Sequence, residues 1–203
     1  MARDNINDKN RIRRGFFSKK NELHILSDSC LEELFFLAFE FDDSIAKYRS
    51  HPVVTTYLDE TGKKRKYTPD SAVKLKDDRI FFFEVKLHKR TQNTEYQLHF
   101  ELLSRHIERR FKSPLKLLTE KNLNKNQLKN WKRLYKHTRK PLCESAIYLL
   151  EQIDTDELSF AELLEMNSKL ALRPHIPFSI LAHHKLVFDY SMPLDDSTKL
   201  RVT

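Results

Sequence analysis

The stretch YTPDSAVKLKDDRIFFFEVK, Tyr67–Lys86, decides the fold. The run Ile80-Phe81-Phe82-Phe83 has the character of a buried strand, yet it continues directly into Glu84-Val85-Lys86. An acid and a base two residues apart therefore close an apolar strand. Upstream, KYTPDSAVKL reads as the preceding strand, joined to it by the polar turn Lys76-Asp77-Asp78. Residues i and i+2 of a strand project to one face, so Glu84 and Lys86 point together. A three-residue loop at the turn places Asp70 opposite Glu84, whereas a two-residue loop would slip the register by one and turn Asp70 away. In the first register two carboxylates and an ammonium share a patch. Two adjacent carboxylates repel unless a cation lies between them, and hard oxygen donors with an open coordination sphere suit Mg²⁺ or Mn²⁺.

Working outward, HPVVTTYL reads as a further strand, followed by DETGKK with Gly62 at a turn, so three consecutive strands are expected to form an antiparallel meander. Before them a helix is expected to open near Ser27-Asp28-Ser29 and run through LEELFFLAFEF, where Leu31, Leu34, Phe35 and Ala38 fall at i, i+3, i+4 and i+7. Residues 1–24, with Arg11, Arg13, Arg14, Lys19 and Lys20, show no sustained periodicity and read as a basic arm. After the meander, QLHFELLSRHIERRFK has helical spacing and PLKLLTE reads as one more strand, giving a mixed α/β domain over residues 25–120. Residues 121–143 hold eight Lys or Arg and no Asp or Glu around the single Trp, Trp131, and read as a basic linker, with Trp131 either anchoring it or stacking on a base. Helical patterns resume in ESAIYLLEQI and SFAELLEMNSKL, and IPFSILAHHKLVFDY reads as a helix running into a strand. Residues 121–203 are thus expected to hold the linker and a small, mainly helical, winged-helix-like domain.

Composition narrows the function classes. The net charge of +8 is unevenly spread: residues 1–143 carry 32 Lys and Arg against 19 Asp and Glu, and residues 144–203 carry 5 against 10. A basic first part fits a polyphosphate partner, and an acidic last part is repelled by one. No run approaches a membrane span, the N-terminus lacks the apolar core of a secretory signal, and Cys30 and Cys143 form no metal-ligand pair, so a cytoplasmic protein is expected. The nine His offer no spaced metal pair; His183 and His184 are adjacent.

Pro69-Asp70, thirteen intervening residues and Glu84-Val85-Lys86 resemble the PD-(D/E)xK signature of metal-dependent DNA nucleases with a restriction-endonuclease-like fold. A wider stretch resembles one branch of that superfamily, the TnsA-type endonuclease subunit of heteromeric cut-and-paste transposases. The resemblance lies in SDSCLEELFFLAFEFDDSI, in YRSHPVVTTYLDETGKKRKYTPD and in the E-V-K strand, and continues faintly in PLKLLTEKNL and IPFSILAHHKLVFDYSMPL. Ser71 departs from the family, where an aromatic or apolar residue is more usual after the Asp.

That resemblance implies a catalytic set of Asp70, Glu84 and Lys86, with a further Glu on the first helix eight residues before the Glu of Glu40-Phe41-Asp42, which is Glu32. It implies Glu32, Asp70, Glu84 and Val85, the last through its main chain, as ligands of Mg²⁺ or Mn²⁺. Ser29-x-x-Glu32 is also a capping box, so Glu32 reads either as a fourth acid or as a cap, with Glu33 a competitor. Phosphate contacts are expected from Arg11, Arg13, Arg14, Lys125, Lys129, Lys132 and Lys136. The implied substrate is double-stranded DNA at transposon ends, cut on the non-transferred strand in a bacterial cytoplasm, with a TnsB-like transposase and a TnsC-like AAA+ regulator as partners. The rivals are a stand-alone restriction-like or repair nuclease and an inactive DNA-binding adaptor.

Overall fold

The computed structural model describes residues 14–203, and the chain divides into two compact units, the first ending at Leu123 and the second running Asn124–Thr203. Arg11 and Arg13 lie outside the described residues, as does the side chain of Arg14.

The first unit opens with β1 (Arg14–Ser18) and β2 (Leu23–Ser27), an antiparallel hairpin where a featureless arm was expected. Its sequence is polar because only one face is covered: Phe16 and Ile25 are buried while Leu23 and Leu26 are exposed. Gly15 is required there, since a Cβ would come within 2.4 Å of the Ile25 carbonyl oxygen. Helix α1 (Cys30–Phe41) follows, capped by Ser29 and stopped at Asp42, with Phe35, Phe36, Leu37, Phe39 and Phe41 buried. Glu40 latches the hairpin to this helix. Its buried carboxylate accepts from Ser18 Oγ (2.7 Å), the Lys19 and Lys20 amides (2.8 and 3.2 Å) and Tyr48 Oη (2.6 Å).

A four-stranded sheet forms from β3 (Ile45–Ser50), β6 (Ser71–Leu75), β7 (Ile80–Val85) and β8 (Leu115–Leu118) in the order β3-β6-β7-β8. The meander read from the sequence is corrected here. The first strand is IAKYRS rather than HPVVTTYL, and KYTPDSAVKL is broken at the fully buried Pro69, which has no N–H for a ladder. Its two pieces go to different sheets: β4 (Thr55–Leu58) pairs with β5 (Lys64–Tyr67) in a separate hairpin. Both hairpin loops hold three residues and end in a left-handed residue, Gly62 (φ 79°) in one and Asp78 (φ 67°) in the other.

Chain reversal after β7 runs through α2 (His88–Thr91) and α3 (Thr94–Phe111), which is long enough to return β8 parallel to β7. Alternation along β7 sorts its side chains between two layers. Phe82 enters a cluster with Tyr57, Leu103, Ile107 and Leu115 on the α3 side, whereas Phe83 lies 5.6 Å from Phe39 of α1. The result is a mixed α/β sheet with a helix on each face, as a restriction-endonuclease-like domain requires.

The second unit contains α4 (Lys125–Thr138), α5 (Glu144–Glu151), β9 (Glu157–Ser159), α6 (Phe160–Lys169), α7 (Ile176–Ala182), β10 (Leu186–Val187) and β11 (Lys199–Val202). Its sheet order β10-β11-β9 and the succession helix, strand, helix, helix, strand, strand are those of a winged helix with α4 added in front. Residues 125–138 are therefore helical rather than linker. Asn124 caps the helix, Leu134 is fully buried, and Asn130 Nδ2 donates to the Tyr190 and Met192 carbonyls at 3.0 and 2.8 Å. Leu149, Leu163, Ile180, Leu181, Leu186 and Leu200 close the core around it.

Candidate active site

The three-residue loop at 76–78 gives the ladder Ser71↔Phe83, Ala72↔Phe82, Val73↔Phe81, and one further step brings Asp70 level with Glu84. Both carboxylates are buried, each residue only 8% exposed. Asp70 Oδ2 accepts the Val85 amide at 2.7 Å, which fixes the acid to the end of β7. Lys86 then reaches back over the strand end. Its ammonium lies 2.6 Å from Glu84 Oε1, 3.3 Å from Asp70 Oδ2 and 3.1 Å from the Val85 carbonyl oxygen, so each of its three protons has an oxygen to meet.

The electrostatics follow from this crowding. Burial, and after it the neighbouring Asp70, push the Glu84 carboxyl above the usual carboxylate range, against the pull of Lys86 and Tyr67. Burial opposes the charge on Lys86, but Glu84 and Asp70 outweigh it and hold the ammonium above its ordinary value. A cation is therefore built into the acid pair. The oxygens around the ammonium, two carboxylates and the Val85 carbonyl, are the hard donor set that suits Mg²⁺ or Mn²⁺, so Asp70, Glu84 and Val85 fit the role expected of them.

Glu32 stands apart from this group. Its Oε1 accepts from Ser29 Oγ at 2.8 Å and its Oε2 from the Asp28 amide at 2.9 Å, while Ser29 Oγ accepts the Glu32 amide at 3.2 Å. This is half of a capping box, since Ser29 Oγ takes the Glu32 amide but the Glu32 carboxylate takes the Asp28 amide and the Ser29 hydroxyl in place of the Ser29 amide, and no hydrogen bond or ion pair joins Glu32 to Asp70, Glu84 or Lys86. Among the described residues no group of three or more His, Cys, Asp or Glu side chains is arranged to hold a metal. The helix start is nevertheless tied to the same region, because Asp28 lies 3.5 Å from His51 Nε2, and the His51 amide donates to the Asp70 carbonyl at 3.1 Å. Glu32→Gln separates the two roles. As a cap it should leave DNA cleavage intact and change thermal melting little, because Gln also serves at this position, whereas a ligand would lose cleavage.

Two tyrosines complete the site that sequence reasoning missed. Tyr67 Oη, from the end of β5, donates to Glu84 Oε2 at 2.7 Å. Tyr96, in the first turn of α3, buries a hydroxyl that has no hydrogen-bond partner among the described residues. Burial and then the charge of Glu84 push both phenols well above their ordinary value, with Asp70 adding to it in each case. Tyr67 lies only three residues before Asp70, but nothing in the local pattern shows that β5 leaves the sheet and returns to touch β7.

The expected phosphate-binding lysines of α4, Lys125, Lys129, Lys132 and Lys136, are all exposed and follow one another at four-, three- and four-residue steps, which makes one stripe along the helix.

Residues 42–120 match the family model of the TnsA-like endonuclease N-terminal domain, a stretch that contains Asp70, Glu84 and Lys86 and begins after Glu32. A search of curated proteins finds no match. With the mixed sheet and the acid pair at its strand ends, residues 42–120 are thus similar to a TnsA-like endonuclease N-terminal domain.

Proposed function

We propose that the protein is the metal-dependent DNA endonuclease subunit of a cut-and-paste transposase, cleaving the non-transferred strand at transposon ends. The observation that carries this reading is the convergence of Asp70, Glu84 and the Val85 carbonyl on one cation position, filled by the Lys86 ammonium. A bound Mg²⁺ would supply a Lewis acid that activates water and neutralises charge on the phosphodiester. Asp70, Glu84 and Val85 would hold it. Lys86, kept protonated by its acidic neighbours, is suited to orient the attacking water and to stabilise negative charge in the pentavalent transition state. Tyr67 fixes the free oxygen of Glu84, leaving its other oxygen for the cation.

A TnsB-like transposase and a TnsC-like regulator are the implied partners. Within the second unit, residues 144–203 suit protein recognition better than a duplex, because Glu144, Glu151, Asp154, Asp156, Glu157, Glu162 and Glu165 are all exposed, whereas the lysine stripe of α4 suits phosphate. The test is cleavage of transposon-end DNA labelled on each strand, with Mg²⁺ or EDTA and with or without the TnsB-like partner. Partner-dependent cutting of one strand at the end, lost in EDTA, is expected. Partner-independent cutting of unrelated duplex would instead indicate a stand-alone nuclease, and no cutting under any condition an adaptor.

A further inference from the structure

The β4–β5 hairpin has two unlike faces. Its inner face carries Thr55 and Tyr57, both buried, and Tyr67, whose hydroxyl binds Glu84. Thr55 Oγ1 lies 2.9 Å from His106 Nε2, and the Tyr57 ring packs 5.9 Å from His99, so this face is fastened to α3. The outer face carries Thr56, Leu58, Lys64 and Lys66, all exposed, with exposed Lys63 beside them. Of the hairpin's acids, Asp59 is spent internally. It pairs with Arg65 at 2.7 Å and accepts from Thr61 and from the Lys63 amide, which leaves Glu60 at the loop tip. None of Lys63, Lys64 and Lys66 makes an ion pair among the described residues.

We propose that the outer face of this hairpin grips the phosphate backbone of the duplex that is cut at Asp70 and Glu84, through Lys64 and Lys66 with Lys63 alongside. The inference rests on the nuclease reading and adds to it a DNA-contacting surface. Three adjacent unpaired ammonium groups make a polyanion the complementary partner. Position is the second argument. At about 3.3 Å per residue, Lys64 lies about 10 Å along the strand from Tyr67, which touches Glu84 from the opposite face, so the lysines stand beside the acid pair, where the flank of a duplex cut there would pass. The grip is then coupled to the chemistry, since the strand that carries the lysines ends in the side chain that holds Glu84.

Exposed lysines also protect a hairpin edge against pairing with other chains. Charge reversal separates the two roles, because glutamate protects an edge equally well and repels phosphate. Duplex affinity of the full chain should be measured in EDTA across a salt series for the wild type, for K63A/K64A/K66A, for K64E/K66E and for K64R/K66R, with circular dichroism on each. The alanine variant should lower the log–log salt slope by about 2–3, at about 0.9 per lost phosphate contact. The glutamate variant should bind still more weakly, and the arginine variant should keep the wild-type slope. In Mg²⁺ the alanine variant should raise the KM for DNA more than it lowers kcat. A wild type that binds and cuts duplex while the folded alanine and glutamate variants keep its slope would overturn the hairpin's role and leave the nuclease reading intact. A wild type that neither binds nor cuts duplex with its partners present would overturn the nuclease reading, and this inference with it.

Discussion

Replacing Asp70 by asparagine should lower DNA cleavage by about a thousandfold or more, equivalent to about 4 kcal/mol of transition-state stabilisation, while the chain remains folded. The two outcomes separate because Asp70 has two functions. Its Oδ2 accepts the Val85 amide at 2.7 Å, and an asparagine oxygen can accept the same N–H. Its charge, in contrast, has no replacement. Without it the cation position loses one of its two anionic donors, and the site holds one carboxylate where two are needed to bind a divalent ion firmly. The same loss of charge relieves Glu84, whose carboxyl is held up by burial and by Asp70, so the variant should melt no lower than the wild type. Cleavage assays in Mg²⁺ and thermal melts check both halves. A folded D70N that cuts at the wild-type rate would remove Asp70 from the site.

How much of this was legible in the sequence depends on what each residue's neighbours are. The level placement of Asp70 and Glu84 follows from loop length alone, because Lys76-Asp77-Asp78 sets the register of two strands that are adjacent in sequence. Helix α1 is legible from its phenylalanines and its capping serine. Strand β3 is not, because it lies at the sheet edge, where Lys47 and Arg49 face solvent and a bulge between Ile45 and Lys47 breaks the alternation. Helix α4 is masked by its cations, although Leu134 and Asn130 lie wholly inside the second unit. Tyr67 could not be placed at all. Its contact with Glu84 depends on β5 leaving the sheet at Pro69, a break that reads as continuous strand until Thr55–Leu58 is seen to pair elsewhere. Glu40 is the converse case. Its place eight residues after Glu32 is the family spacing, yet its carboxylate is engaged in holding the N-terminal hairpin and Tyr48 of β3, which no local pattern discloses.

Lys86→Met should make the protein a better metal binder and a far poorer enzyme. Methionine keeps most of the aliphatic stem and removes the ammonium that now lies 2.6 Å from Glu84, 3.3 Å from Asp70 and 3.1 Å from the Val85 carbonyl. Those oxygens are the donors a divalent cation would use, so in the wild type the two cations compete for them. Removing the built-in charge should strengthen Mn²⁺ binding by at least about tenfold, or about 1.4 kcal/mol, read by calorimetry without any substrate. The metal-free variant should be less stable by about 3 kcal/mol, because two buried carboxylates lose their counter-charge, and Mn²⁺ should restore the loss. Cleavage should still fall by about a thousandfold, since the group that orients water and meets the transition-state charge is gone. Arginine at this position should not rescue it, because its planar, delocalised cation cannot take the place of a compact ammonium among three oxygens. Tighter metal binding with lost cleavage distinguishes a catalytic lysine that also acts as a resident counter-ion from one that is merely structural. Weaker or unchanged Mn²⁺ affinity in a folded K86M would show that the acid pair and the carbonyl are not the metal's donors.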